Sequence, residues 1–192
     1  MTKKWPPEYD RSYLPTPKAR FWFKDLETMD PQERDQKVIL PKLQAQLKYA
    51  YQRSPLYKKK WDQAGIKPKD IRSLTDFEQI PLLTKDEIRL DQKEHPPFGS
   101  NLCVSLKELA RVQGTSGTTG KPTAFGISKG DMDRIAEAHA RAMWGFGMRQ
   151  DDIVFIGSFF SLYWGSWGAL LGAERLGAVA FPFGAGVPGQ TD

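Results

Sequence analysis

The sequence is poor in the residues that build disulfide frameworks and metal centres. Its 192 residues contain one cysteine and two histidines. The single cysteine, Cys103, excludes an internal disulfide framework and fits a reducing compartment, so we expect a cytoplasmic protein. Two histidines and one cysteine that lie far apart in the sequence predict no metal site.

The chain also lacks a long uninterrupted apolar run and a large excess of charge of one sign. The most apolar region, around residues 153–183, is broken by glycines, serines and charged residues, so it predicts no membrane span. The first 15 residues have no apolar core of the kind that a signal peptide needs. A formal charge of +5 is modest for this length, and we predict no nucleic-acid binding.

One stretch, residues 114–122 (GTSGTTGKP), concentrates glycines, hydroxyl side chains and a lysine. This composition suits a backbone wrapped around an anion, because glycine lets N–H groups approach closely and the lysine adds charge. It is not a Walker A loop, which would have glycine in place of Thr115 and a hydroxyl residue in place of Pro122. A flexible turn between two strands has the same composition, so composition alone leaves both interpretations open.

The first half of the chain carries mainly helix signals. Residues 1–20 contain four prolines and predict an extended arm, and residues 21–107 predict a helical N-terminal region. Asp30 and Ser54, each followed by proline, are N-cap signals for two helices. Pro41 is expected to kink or restart the first of them. Apolar stripes at helical spacing are assigned to the core: Leu43, Leu47, Ala50 and Tyr51, then Tyr57, Trp61 and Ala64.

Residues 108–192 change to a pattern of alternating strands and helices. Strand-like sequences lie on both sides of the glycine-rich stretch, and Ser128 opens a long helix. An apolar strand at 153–157, a helix from about Trp164 to Leu176 and a strand at 178–181 predict a βαβ unit with parallel strands. We therefore predict an α/β fold that follows the helical region.

The long helix that Ser128 opens has one apolar side. Its predicted members are Met132, Ile135, Ala136, His139, Met143 and Phe146. Because His139 falls on this stripe, we expect a hydrogen-bonded core histidine rather than a catalytic one.

The spelling TSGTTGKP resembles the phosphate-binding loop of the adenylate-forming superfamily, which includes acyl-CoA synthetases, adenylation domains of peptide synthetases and luciferases. Other stretches resemble phenylacetate–CoA ligases and their aryl-CoA ligase relatives within it. These stretches are Glu27-Thr28-Met29, the run from Leu47 to Trp61, and Gly172-Ala173-Glu174-Arg175-Leu176-Gly177.

The resemblance implies ATP-dependent activation of an aryl or other small carboxylic acid, first to an acyl-adenylate and then to a coenzyme A thioester. ATP, Mg²⁺ and coenzyme A would take part. Thr118 and Lys121 are the implied catalytic residues. The implied triphosphate-binding residues are Thr115, Ser116, Gly117, Thr118, Thr119, Gly120 and Lys121.

An aromatic segment follows the strand at 153–157, at the edge of a parallel sheet where ligands bind. By resemblance it lines the acyl pocket, and its predicted substrate-binding residues are Phe160, Tyr163, Trp164 and Trp167. Phe160 stands where a tyrosine is common in phenylacetate–CoA ligases, and the two tryptophans replace smaller residues, so the pocket differs from theirs. The alternative is that these aromatic side chains belong to the hydrophobic core beneath the sheet.

Later motifs of the family, including its adenosine-contacting motif and C-terminal catalytic lysine, do not occur in the sequence. We therefore expect this chain to be the N-terminal portion of such an enzyme and to be inactive alone. We also expect the chain to associate, either as a homo-oligomer or with the missing C-terminal part. Two alternatives stay open: an adenylating ligase with a non-CoA acceptor, and a non-catalytic nucleotide-binding or assembly module that needs a partner chain.

In a complete enzyme, we expect Lys121→Ala and Thr118→Ala to lower the adenylation rate more than they weaken binding of the carboxylic acid. Loss of one preorganised donor from such a site costs about 3 kcal/mol in the transition state. ATP–pyrophosphate exchange measures this rate. Unchanged exchange in both variants would remove the loop from the mechanism.

Overall fold

The computed structural model describes residues 10–115 and 122–184. The chain folds as two compact units. The first contains Thr28–Leu109 and Thr123–Gly126, and the second contains the described residues of 9–27, 110–122 and 127–192. The boundaries predicted from the sequence, between an arm, a helical region and an α/β region at residues 20 and 107, stay a prediction.

The first unit is mainly helical, as the sequence predicts. Asp30 accepts hydrogen bonds from the backbone N–H groups of Gln32 and Glu33, and thus caps the first helix as predicted. The chain forms a π-helical turn over Asp35–Ile39 before the helix that contains Pro41, in agreement with the expected kink, since proline lacks an N–H donor. The α-helices of this unit are α2 (Pro31–Arg34), α3 (Leu40–Arg53), α4 (Pro55–Gln63), α5 (Leu74–Phe77) and α6 (Lys85–Glu94).

The core of the first unit lies between α3, α4 and the segment that follows them. Its buried members are Leu47, Ala50, Trp61 and Ile71, and Leu43, Tyr51 and Tyr57 pack against them. The predicted stripes are therefore confirmed with one exception. Ala64 is exposed, because α4 ends at Gln63 and Ala64 is its C-terminal cap.

A capping box begins α6. Thr84 accepts a hydrogen bond from the Glu87 N–H, and the Glu87 carboxylate accepts one from the Thr84 N–H at 2.7 Å. Glu87 also pairs with Lys60 of α4. The Lys60 ammonium and the Thr84 donors lower the pKa of Glu87 to about 2, so the carboxylate is ionised at neutral pH.

The second unit contains the predicted βαβ arrangement. β3 (Ile153–Phe155) pairs with β4 (Val179–Phe181) in parallel, with Val154 opposite Ala180. The α/β class and the parallel pair are therefore confirmed. The other helices and strands are α1 (Lys24–Glu27), β1 (Leu109–Gly114), β2 (Ala124–Ser128), α7 (Lys129–Gly145) and α8 (Gly165–Leu176). β1 and β2 form a second two-stranded sheet.

Two glycines of α8 let it approach α7 closely. A Cβ atom on Gly168 would lie 2.2 Å from His139 Nε2, and one on Gly172 would lie 2.5 Å from His139 Cβ. The His139 Nδ1–H donates to the Ile135 carbonyl at 2.8 Å. His139 is therefore a half-buried, hydrogen-bonded packing residue, as predicted.

The apolar side of α7 differs from the predicted stripe. Its buried residues are Glu137, Ala140, Met143 and Trp144. Phe146 was predicted on this side, but it is 83% exposed. The helix ends at Gly145, so Phe146 is a terminal residue and does not continue the buried stripe.

A buried polar group holds the described N-terminal residues of the second unit to its helices. Trp22 is 1% exposed, and its indole N–H donates to Glu137 Oε1 at 2.7 Å. Arg175 of α8 forms an ion pair with Glu137 Oε2 at 2.7 Å and donates to the Tyr13 carbonyl at 2.6 Å. Because Glu137 is itself buried, this pairing satisfies a charge that would otherwise be costly.

Among the described residues, no helix is both long and apolar enough to cross a membrane.

We expect Gly172→Ala to destabilise the chain by about 1–3 kcal/mol, since the new methyl group would meet both the side chain and the backbone of His139. Gly145→Ala is the matched control, because a Cβ atom there meets nothing within 4 Å. Alanine is the better helix former, so the control should raise stability by up to about 1 kcal/mol. Urea unfolding measures the free energy of unfolding of both variants. Equal changes in the two variants would contradict the close contact between α7 and α8.

Candidate functional site

The glycine-rich stretch lies between β1 and β2. Six of its predicted phosphate-binding residues lie outside the described residues: Ser116, Gly117, Thr118, Thr119, Gly120 and Lys121. The described residues on either side are Gly114 and Thr115 before it and Pro122 after it. Their positions show that strands lead into and out of the stretch, in agreement with the sequence pattern.

Residues 157–164, which we term the aromatic loop, connect β3 to α8. The Gly114 N–H donates to the carbonyl of Leu162 in this loop at 2.8 Å. This bond joins the start of the glycine-rich stretch to the segment predicted to line the acyl pocket. The sequence places the two segments about 45 residues apart, and the fold brings them into contact.

Two of the predicted acyl-pocket residues contact each other. The rings of Phe160 and Trp167 meet edge to face, with centroids 4.9 Å apart. The Trp167 indole N–H donates to the Ser161 carbonyl at 2.7 Å, and the Ser166 hydroxyl donates to the Phe159 carbonyl at 2.8 Å. The first turn of α8 therefore holds the aromatic loop by two side-chain hydrogen bonds.

The other two predicted pocket residues lie just before α8. Tyr163 is exposed, and its ring lies so close to Gly165 that a Cβ atom there would be 2.4 Å from a ring carbon. Trp164 is half-buried and occupies the N-cap position of α8, with no side-chain hydrogen bond to the helix. Phe160 also packs against the core of the unit, which agrees in part with the core alternative.

Two polar side chains of β1 face inward beside this loop, and the sequence pattern did not point to them. The Arg111 guanidinium lies over the Trp167 ring, 4.4 Å from its centroid. Gln113, two residues further along the strand, is only 5% exposed. Within the described part of the chain, Arg111 Nη1 and Gln113 Oε1 are buried without a hydrogen-bond partner. Polar residues at alternate positions of a predicted strand were the available signal.

The segment after the glycine-rich stretch is also held firmly. Thr123 is buried, and the side-chain amide of Gln92 on α6 forms hydrogen bonds with the backbone of Ala124. A Cβ atom on Gly126 would lie 2.9 Å from Leu102 and 3.0 Å from Leu109.

The arrangement around the aromatic loop favours anions. The Arg111 cation lies beside it, and the N-terminus of α8, which carries a partial positive charge, begins directly after it. In the described residues no group of three or more histidine, cysteine or acidic residues is placed to hold a metal ion.

The chain is similar to curated proteins over most of its own length but over only part of theirs. It is 36% identical over 163 residues to the phenylacetate-coenzyme A ligase of Escherichia coli, covering 82% of this chain and 36% of that protein. The phenylacetate-coenzyme A ligase of Thermus thermophilus is 36% identical over 163 residues, which cover 85% of this chain and 35% of that protein. No family model matches the chain.

The fold is similar to that of a solved 2-hydroxyisobutyryl-CoA ligase in complex with 2-HIB-AMP and CoA. The TM-score is 0.92 and the sequence identity is 53%, covering 97% of this chain and 39% of that one. The same ligase in its postadenylation state with R3-HIB-AMP gives a TM-score of 0.91 at 51% identity. The chain thus spans little more than a third of the length of the proteins that it matches.

In a full-length enzyme that carries this chain, we expect Trp164→Ala and Trp167→Ala to extend the accepted acids toward bulkier ones before ATP binding is lost. Flat aromatic walls favour an aromatic or short planar acid over a long flexible chain, because aromatic pairs add about 0.5–1.5 kcal/mol beyond the buried area. A panel of carboxylic acids tests this preference. Trp61→Ala, in the core of the first unit, is the control that should lower stability alone. Lost folding without altered preference would assign Trp164 and Trp167 to the core.

Proposed function

We propose that this chain is part of an AMP-forming acid–CoA ligase, the kind of adenylate-forming enzyme that it resembles in sequence and fold. The observation that carries the proposal is the 53% identity to the 2-hydroxyisobutyryl-CoA ligase across 97% of the chain, at a TM-score of 0.92.

The proposed reaction has two steps. A carboxylate oxygen attacks the α-phosphorus of ATP and expels pyrophosphate, which gives an acyl-adenylate. The sulfur of coenzyme A then attacks the acyl carbon, the thioester forms and AMP leaves. Residues Thr115–Lys121 would hold the departing phosphates, since that charge needs preorganised donors and a cation. Mg²⁺ bound with the nucleotide would neutralise part of the same charge.

The hydrogen bond from Gly114 to Leu162 supports a single site for both reactants. It holds the start of the proposed phosphate loop against the proposed acyl-side loop. An attacking carboxylate and the α-phosphorus must lie close together, and fixed supports for both ligands lower the entropic part of the barrier.

We propose a small carboxylic acid as the substrate. The identity to the 2-hydroxyisobutyryl-CoA ligase is 53%, against 36% for the phenylacetate-coenzyme A ligases of E. coli and T. thermophilus, which favours a short branched acid over an arylacetate. The Trp167 ring supports the same choice. Phe160 meets it in an edge-to-face contact and Arg111 lies over one face, which leaves less aromatic surface for a second ring.

We also propose that the chain works in association with the rest of an enzyme of this kind. One face of the β3–β4 sheet exposes apolar side chains: Ile153, Phe155, Val179 and Phe181. The rings of Phe155 and Phe181 meet at 5.3 Å on this face. Parallel sheets are normally covered on both faces. The matched ligase has more than half of its length outside the region that this chain covers, enough to supply the cover. The single cysteine supports a cytoplasmic location.

The test is a chimera in which this chain replaces the matching segment of the 2-hydroxyisobutyryl-CoA ligase. We expect acid-dependent ATP–pyrophosphate exchange and thioester formation, with 2-hydroxyisobutyrate preferred over phenylacetate. The 192-residue chain alone should form no acyl-CoA. A folded chimera without exchange on any acid of the panel would contradict the proposed function.

A further inference from the structure

The indole ring of Trp167 is held in one orientation. Its N–H donates to the Ser161 carbonyl at 2.7 Å. The Phe160 ring meets it edge to face, with centroids 4.9 Å apart and 73° between the two ring planes. Rotation of the indole about its side-chain bonds would break both contacts. The ring therefore presents the same face to β1 at all times.

The guanidinium of Arg111 covers that face. It lies 4.4 Å from the centroid of the Trp167 ring. The strand that carries it is held nearby, because the Gly114 N–H donates to the Leu162 carbonyl of the aromatic loop at 2.8 Å. All four residues belong to the second unit. The cation and the ring are therefore fixed relative to each other from both sides.

The contact with the ring accounts for the position of this arginine. A buried arginine is normally paired with a carboxylate and fully hydrogen-bonded. Within the described part of the chain, Arg111 Nη1 is buried without a hydrogen-bond partner. A planar guanidinium stacks on an aromatic face, and this attraction is strongest where water is excluded. The Trp167 ring is thus the group against which the described structure places the cation.

We propose that Arg111 is a specificity-determining residue that discriminates against aromatic acids. It occupies the face of Trp167 on which the ring of an aryl acid would stack. This inference rests on the proposed function, in which Trp167 borders the acid. An aryl ring can reach that face only after the guanidinium has left it, whereas a short branched acid does not need the face. Specificity then comes from a group that excludes the wrong substrate.

The test compares Arg111→Ala with Arg141→Ala in the chimera. Alanine removes the guanidinium and uncovers the ring. Arg141 of α7 is the matched control in the same unit, because its guanidinium lies 5.3 Å from the centroid of the Phe23 ring and its Nε is also buried without a partner among the described residues. Arg111→Lys is a second variant, which keeps the charge and loses the stacking plane.

The first measurement is the fluorine NMR spectrum of the chimera labelled with 5-fluorotryptophan. The Trp167 signal is the one that Trp167→Phe removes. We expect this signal to move by more than its line width in Arg111→Ala and to stay in place in Arg141→Ala, since only the first change removes the cation from the ring. An unmoved Trp167 signal in Arg111→Ala would overturn the proposal.

The second measurement is acid-dependent pyrophosphate exchange with phenylacetate, cyclohexylacetate and 2-hydroxyisobutyrate. We expect Arg111→Ala to raise kcat/KM for phenylacetate relative to 2-hydroxyisobutyrate about three- to tenfold, the range that an aromatic pair contributes. Arg111→Lys should give a smaller rise and Arg141→Ala none. Cyclohexylacetate has similar bulk and no aromatic face, so it should gain less than phenylacetate.

Three results would overturn the role of Arg111: an unchanged ratio in Arg111→Ala, an equal gain for cyclohexylacetate, or an equal rise in Arg141→Ala. The second would mean that the variant only adds room, and the third that any lost arginine loosens the site. If Arg111→Ala does not fold, an unchanged ratio in Arg111→Lys would overturn the role in its place. An active chimera with any of these results would leave the proposed function standing. A folded wild-type chimera that is inactive on every acid would instead refute the proposed function and this role with it.

Discussion

The close approach of α7 and α8 is the constraint on which the second unit depends. Gly168 and Gly172 leave space that His139 fills, so a methyl group at either position would force the helices apart. The first turn of α8 carries Trp167 and Ser166, which hold the aromatic loop. The loop in turn accepts the hydrogen bond from Gly114. A packing contact between two helices thereby determines the position of one end of the proposed phosphate loop.

The same helices hold the described N-terminal residues through buried charge. Glu137 on α7 and Arg175 on α8 pair at 2.7 Å, and Trp22 donates to the same carboxylate. Because a buried carboxylate without partners is very costly, the three side chains are interdependent. Arg175 belongs to one of the stretches that resemble the phenylacetate–CoA ligases. Its contacts give that stretch a structural role: it joins the segment around Tyr13 and Trp22 to the βαβ core.

The described residues on either side of the glycine-rich stretch make hydrogen bonds to other parts of the chain. Gly114 donates to Leu162 before the loop, and Ala124 exchanges two bonds with the Gln92 amide after it. Backbone anchors tolerate changes of side chain at Leu162 and Ala124, whereas the Gln92 amide has no substitute of equal length and chemistry.

Most of the helices and strands, the α/β class and the family resemblance could be predicted from the amino-acid sequence. Local signals were sufficient for these: Asp30, Ser54 and Ser128 cap helices as predicted, Gly177 ends α8 in the left-handed conformation, and the strands that follow are parallel. The glycine-rich motif carried the resemblance, because the residues of such a motif are consecutive in the sequence.

Contacts between residues that lie far apart in the chain could not be predicted from local sequence signals. Ala64 and Phe146 fit apolar stripes by spacing but are exposed, because each lies just beyond the end of its helix. No pattern in the sequence pairs Gln92 with Ala124, Arg111 with Trp167 or Glu137 with Arg175. These contacts join residues 32 to 56 positions apart, and the path of the whole chain fixes their geometry. Local propensity carries no information about such distances, so the sequence predicted the parts of the site and the fold assembled them.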